Sequence, residues 1–139
     1  MDNLLIQEAS DDDLRLLAHM NKQLIEDEQH DNKMNLEQLK ERMRSFIQTE
    51  YKAYIFKDEE KIRGYALVNH CKEPVYLRHF FICRDSRRNG YGRQYFNELL
   101  KILNTDRIDI EVMYWNNRGS DFWKTLGFKE RSIYMRLEI

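Results

Sequence analysis

At 139 residues the chain can enclose the core of one domain, and its 42% apolar and 34% charged content excludes a disordered chain. A formal net charge of −1 excludes an overall bias toward nucleic acid, and no apolar run reaches membrane-spanning length. Cys71 and Cys83 have no metal-ligand spacing and no companion pair. Neither a metal site nor a disulfide framework is therefore expected, and with no signal-peptide pattern the expected location is the cytoplasm.

Residues 3–8 read as a short strand. Ser10 with Asp13 has the pattern of a capping box, after which Leu14, Leu17, Ala18, Asn21, Leu24 and Ile25 trace one helical stripe. A polar break over 29–33 follows. Asn35 with Gln38 predicts a second cap, leading into Leu36, Leu39, Met43, Phe46 and Ile47 at helical spacing. The period then changes. Residues 53–56 and 62–68 predict an antiparallel hairpin around the polar turn 57–61. Residues 75–83, preceded by the single proline Pro74, form the longest strand candidate. A helix starting near Gly90 turns Phe96, Leu99, Leu100 and Leu103 inward, and residues 108–114, 119–126 and 128–137 read as strand, short helix and last strand.

With no repeat, linker or low-complexity tract, 1–139 is expected to be a single domain of α/β class. The order β-α-α-β-β-β-α-β-α-β predicts a mixed, mostly antiparallel sheet flanked by helices. Strands 75–83 and 108–114 should form a parallel pair joined by a right-handed crossover, with ligands gathering at their carboxyl ends.

That position is held by Arg87-Arg88-Asn89-Gly90-Tyr91-Gly92, between an apolar strand and a helix start. Glycines admit close backbone approach, and the unpaired amides and dipole of a helix N-terminus favour an anion. Arg84, Arg87, Arg88 and Arg93 add positive charge, so a phosphate or pyrophosphate is the expected occupant. The segment is neither a P-loop nor a complete G-x-G-x-x-G, and an ordinary strand-to-helix turn is the alternative. Residues 8–31 carry mostly acid, a split compatible with an anionic cofactor at one end of a cleft and a cationic substrate at the other.

These residues resemble the GCN5-related N-acetyltransferase (GNAT) superfamily. Its Arg/Gln-x-x-Gly-x-Gly/Ala segment is matched by Arg87, Gly90 and Gly92, and its Asn-x-x-Ala/Gly-x-x-Phe-Tyr-x-x-x-Gly-Phe segment by Asn116 through Phe128, with Gly119, Phe122, Gly127 and a departure at Trp123. The resemblance covers essentially the whole chain. It implies acetyl-CoA, or another acyl-CoA, and no metal, with the pyrophosphate on the backbone amides of Arg88, Asn89, Gly90, Tyr91, Gly92 and Arg93. It also implies a pantetheine arm between two splayed strands, pairing near Phe81, Ile82 and Cys83 as an added strand would. Asn116 would orient the arm or the following loop, or simply cap a helix.

Acyl transfer to an amine needs a neutral nucleophile, a polarised carbonyl and a proton for the departing thiolate. An amide of Phe81 or Ile82 is the expected polarising donor. Many relatives place a tyrosine at the position of Trp123, whose indole is no proton source; it reads as packing or a wall against the cofactor. Tyr114 and Tyr134 are the substitute acids. Relatives often show Leu-Glu-Asp where this chain has Leu77-Arg78-His79, so His79 is the candidate base or water relay, or else a satisfied structural histidine. Strand alternation groups His79 with Leu77, Phe81 and Cys83. The loop 26–31 is expected to border the acceptor pocket, its carboxylates holding an amine or merely solvating a helix end, while His19 falls on a polar face. The function this implies is transfer of an acetyl group to a primary amine of a small molecule. The alternatives are a protein or peptide N-acetyltransferase and a non-catalytic acyl-CoA-sensing domain. No nucleic-acid or membrane partner is expected; aromatics on the last strand suggest an edge covered in a homodimer.

Overall fold

The computed structural model describes residues 4–139; Asn3, where the first expected strand began, lies outside the described residues. Strand β1 (Leu4–Glu8) is followed by helices α1 (Leu14–Asp27) and α2 (Leu36–Ile47), then by strands β2 (Tyr51–Asp58), β3 (Lys61–Asn69) and β4 (Val75–Ile82). Helix α3 (Tyr91–Leu103), strand β5 (Ile108–Asp109) and helix α4 (Asn117–Thr125) complete the regular elements. Both predicted caps form. The Asp13 carboxylate accepts from the Ser10 amide at 2.9 Å ahead of α1, and Asn35 and Gln38 accept from each other's amides at 2.9 Å ahead of α2. Each satisfies donors that a helix start leaves unpaired.

The sheet order is β1-β2-β3-β4-β5, antiparallel throughout except for the parallel junction of β4 with β5. Alternation along the strands supplies two cores. On one face Tyr65, Leu67 and Phe81 pack under Leu14, Leu17, Met20 and Leu24 of α1 and Met43 of α2. On the other, Phe56, Ala66, Val68 and Leu77 pack under Tyr91, Tyr95, Phe96 and Leu99 of α3. Gly64 lets β3 and β4 close up: a Cβ there would lie 1.9 Å from the Phe81 carbonyl oxygen.

Three expectations are corrected. The alternation that grouped Leu77 with Phe81 fails, because Leu67 opposes His79 while its neighbour Val68 opposes Leu77. Arg78 is the extra residue of a β-bulge, and Leu77 is thereby turned to the α3 face. The strand expected over 108–114 is regular only at Ile108–Asp109, paired with Val75 and Tyr76. The strand expected over 128–137 does not form. Phe128 packs on Trp123 and Phe96, but beyond it Ile133, Met135 and Leu137 are exposed. A strand exists only against a partner, and β5 leaves too short an edge to supply one.

Candidate active site

The short β5 opens the molecule. The β4–β5 ladder stops at Tyr76 and Asp109, whereas β4 runs on to Ile82 with β3 as its neighbour on the other side. The Cys83 amide donates across to the Arg63 carbonyl of β3 at 2.7 Å. Alternation sends Phe81 the same way and turns the backbone of Phe80 and Ile82 to the side that β5 has vacated. The Ile82 carbonyl on that side accepts from Arg87 Nε at 2.8 Å. Of the two expected donors, the free edge therefore offers Ile82, with Phe80 beside it. Cys83 is a free, half-buried thiol whose pKa burial pushes up.

Just beyond this edge lies the glycine turn. Gly90 caps α3 in the left-handed region, with φ 78°, after Arg88 at φ 66°. Only glycine takes that backbone without steric cost. Arg88, Asn89 and Gly90 are exposed, and the first amides of α3, at Tyr91, Gly92 and Arg93, have no acceptor within the helix. Gly92 serves packing: a Cβ there would meet the Phe122 ring of α4 at 3.1 Å. The Tyr91 side chain also points inward, donating to Asp58 at 2.9 Å beneath the Arg63 guanidinium, which reaches Ser86 Oγ at 2.9 Å. The hairpin of β2 and β3 thus anchors the turn from below.

The arginines around this turn divide into two roles. Arg87 reaches Asp27 Oδ2 at 2.5 Å, and Arg84 Nε donates to Asp27 Oδ1 at 3.0 Å while its other nitrogen reaches Glu26. Burial works against the Asp27 carboxylate, but hydrogen bonds from both guanidiniums outweigh it and lower its pKa. These two charges clamp the turn to the end of α1, so an anion on the turn would meet less positive charge than the sequence implies. Arg88 stays exposed, and Arg93 reaches the Thr125 carbonyl at 3.3 Å.

On the far wall, Asn116 Oδ1 accepts from the Gly119 amide at 3.0 Å and caps α4. A Cβ on Gly119 would lie 2.5 Å from that same Asn116 side chain, so the two residue types require each other. Trp123 sits edge-on to Phe80, Phe96 and Phe128 with ring centroids 5.2–5.6 Å away. Its indole is part of the α3–α4 packing.

The sequence model of the acetyltransferase (GNAT) domain family matches residues 9–133. The chain belongs to the GNAT acetyltransferase family. Solved structures agree in fold. A possible acetyltransferase from Clostridium difficile 630 is 17% identical with a TM-score of 0.78, covering 98% of this chain and 97% of that one. A predicted acetyltransferase from Clostridium acetobutylicum, solved with acetyl-CoA, is 17% identical with a TM-score of 0.73, covering 97% and 96%. The aminoglycoside N-acetyltransferase AAC(6')-Iy, in complex with CoA, is 16% identical with a TM-score of 0.73, covering 98% and 95%. No curated protein sequence matches.

Within this GNAT domain the candidate catalytic side chains are scattered. His79 shares a 3.0 Å hydrogen bond between Nδ1 and the buried Tyr65 hydroxyl, with Phe46 edge-on above it. Burial pushes its pKa well down, and the charges of Arg42, Arg78 and His30 push it further. A neutral, weakly basic imidazole results. Tyr114 is 89% exposed and Tyr134 77%, and neither lines the cleft between β4 and β5. That cleft is lined by Leu24 and Glu28 from the α1 end, Leu77 to Phe80 of β4, Ile110, Glu111 and Trp123. Sequence reasoning named the loop 26–31 but did not single out Glu28, and it missed Arg42, whose guanidinium donates to the buried Asn21 side chain at 3.1 Å. Only the three-dimensional packing of α1, α2 and β4 brings these groups together. Among the described residues, no helix is long and apolar enough to cross a membrane.

Proposed function

We propose that this GNAT domain transfers an acetyl group from acetyl-CoA, or a related acyl group from its CoA ester, to the primary amine of a small molecule. The observation that carries the reading is the free backbone edge of β4 at Phe80 and Ile82, lying directly beside the left-handed glycine cap of α3. The residues fit the group. An extended arm can pair with that edge as an added strand, flanked by Phe81 and Cys83, and a pyrophosphate can accept from the amides of residues 88–93. Arg87 contributes by bracing the turn, Asn116 by fixing the start of α4, and Trp123 by walling the cleft.

Acetyl-CoA supplies the activated thioester. The chain's own contribution starts with the Ile82 amide, a donor available to a carbonyl oxygen on the open edge. Phe80, Ile82 and Trp123 give that edge an apolar lining that excludes water from the reacting carbon. A departing thiolate needs little acid assistance because a thiol's pKa is about 8.5, so the exposure of Tyr114 and Tyr134 is no obstacle.

Calorimetric titration of the purified protein with acetyl-CoA, CoA and 3′-dephospho-CoA tests the reading. Saturable acetyl-CoA binding, followed by amine-dependent release of free CoA, is expected. A folded, CoA-free sample that binds none of the three would overturn it. Binding with no release for any amine would mark a sensing domain instead.

A further inference from the structure

The cleft beside β4 contains one carboxylate that the fold leaves without a partner. Glu28 follows the last residue of α1; its amide donates to the Leu24 carbonyl at 3.0 Å, and its own carbonyl accepts from Trp115 Nε1 at 3.0 Å. Those two bonds fix its backbone between α1 and the segment after β5. Its half-buried side chain lines the cleft and has no hydrogen bond or ion pair among the described residues. The charged and titratable groups around it are Asp27 on α1, Tyr65 on β3, Arg78 and His79 on β4, and Glu111 after β5. Arg78 is turned away, its guanidinium 4.8 Å from the Phe46 ring centroid and 3.4 Å from the Tyr51 hydroxyl. Asp27 is occupied by Arg84 and Arg87, His79 by Tyr65, and Glu111 accepts from Tyr76 at 3.0 Å.

We propose that Glu28 is the catalytic base of the acyl transfer, and that the Glu28–Glu111 cleft takes amines arriving as ammonium ions with no carboxylate beside the nitrogen. The inference rests on the acetyl-transfer reading above. Glu28 removes one proton from the bound ammonium. The freed nitrogen then forms the N–C bond as the C–S bond breaks, its second departing proton goes to the thiolate sulfur, and Glu28 releases its own proton to solvent. Burial, with a smaller contribution from Asp27, raises the Glu28 pKa from 4.5 to about 7, which matches a base working near neutrality. The two carboxylates attract an ammonium ion and repel an α-amino acid, whose carboxylate would enter with it.

The test uses 1,4-diaminobutane, 2-phenylethylamine and glycine as acceptors for the intact protein, with acetyl-CoA affinity measured alongside. The two amines should be acetylated and glycine should not. Glu28→Gln should lower kcat/KM at pH 7 by about 100-fold or more with unchanged acetyl-CoA affinity, and should erase the rise of rate with pH near 7. Glu28→Asp should retain the pH-dependent limb at a reduced rate. Glu28→Gln with wild-type kcat/KM, an unaltered pH profile, preference for glycine, or no acetylation of either amine by a wild type that binds acetyl-CoA would each overturn the proposal. Failure of the wild type to bind acetyl-CoA would instead overturn the reading beneath it.

Discussion

Glu28 and His79 titrate over overlapping ranges with opposite consequences for folding. The folded pKa of Glu28, about 7, lies above its ordinary 4.5, so its share of stability is fully present below 4.5 and is lost as pH rises through 7. His79 is depressed below 6.5, so its share is present above 6.5 and is lost as pH falls. Thermal unfolding of Glu28→Gln should accordingly show a higher Tm than wild type at pH 8 and no difference at pH 4. His79→Gln should flatten the loss of stability below pH 6.5. Gly64 is a purely steric case. A methyl group 1.9 Å from a backbone oxygen cannot be accommodated by side-chain motion. Gly64→Ala should therefore cost about 3 kcal/mol or more, read from denaturant unfolding. Gly90→Ala should cost only ~1 kcal/mol in stability, from its left-handed backbone, and should weaken acetyl-CoA binding in a calorimetric titration.

Among the elements, what could be read from sequence was what depends on neighbours a few residues away. The caps at Ser10 and Asn35 are of this kind, as are the stripes of α1, α2 and α3 and the glycine turn before α3. Asn35→Ala should cost ~1 kcal/mol, measured by chemical denaturation, because it removes the side-chain oxygen that accepts from the Gln38 amide at an exposed helix start. The bulge at Arg78 was not legible, since an extra residue in β4 is defined only by its register against β3. The same holds for β5. Residues 108–114 and 128–137 have the composition of strands, yet each needs an edge that the other would have to supply. The glycine turn was recognisable, but the diversion of Arg84 and Arg87 to Asp27 was not, because those partners lie about 60 residues apart in the chain.

At the scale of the whole molecule, the core on the α3 face ends at Phe128, and the chain beyond it is exposed and without regular structure. Lys129 and Arg131 are accessible there, while Phe128 is held by Trp123 and Phe96. Limited trypsin digestion should cut at these two residues first and leave a fragment that still unfolds cooperatively. Early cleavage within β2 or β3 would contradict this division of order.

The clamp between Arg87 and Asp27 also makes the two ends of the cleft energetically interdependent. Asp27 is the charged neighbour that raises the proton affinity of Glu28, and Arg87 partly neutralises Asp27. A ligand on the glycine turn that draws Arg87 off Asp27 leaves Arg84 as the remaining guanidinium partner, exposes Glu28 to more of that negative charge and shifts its titration upward. Linkage is reciprocal, so such a ligand binds more tightly when Glu28 is protonated, and its binding takes up protons near pH 7. The anion seat would then report, through one arginine, on the ionisation of a group in the opposite wall.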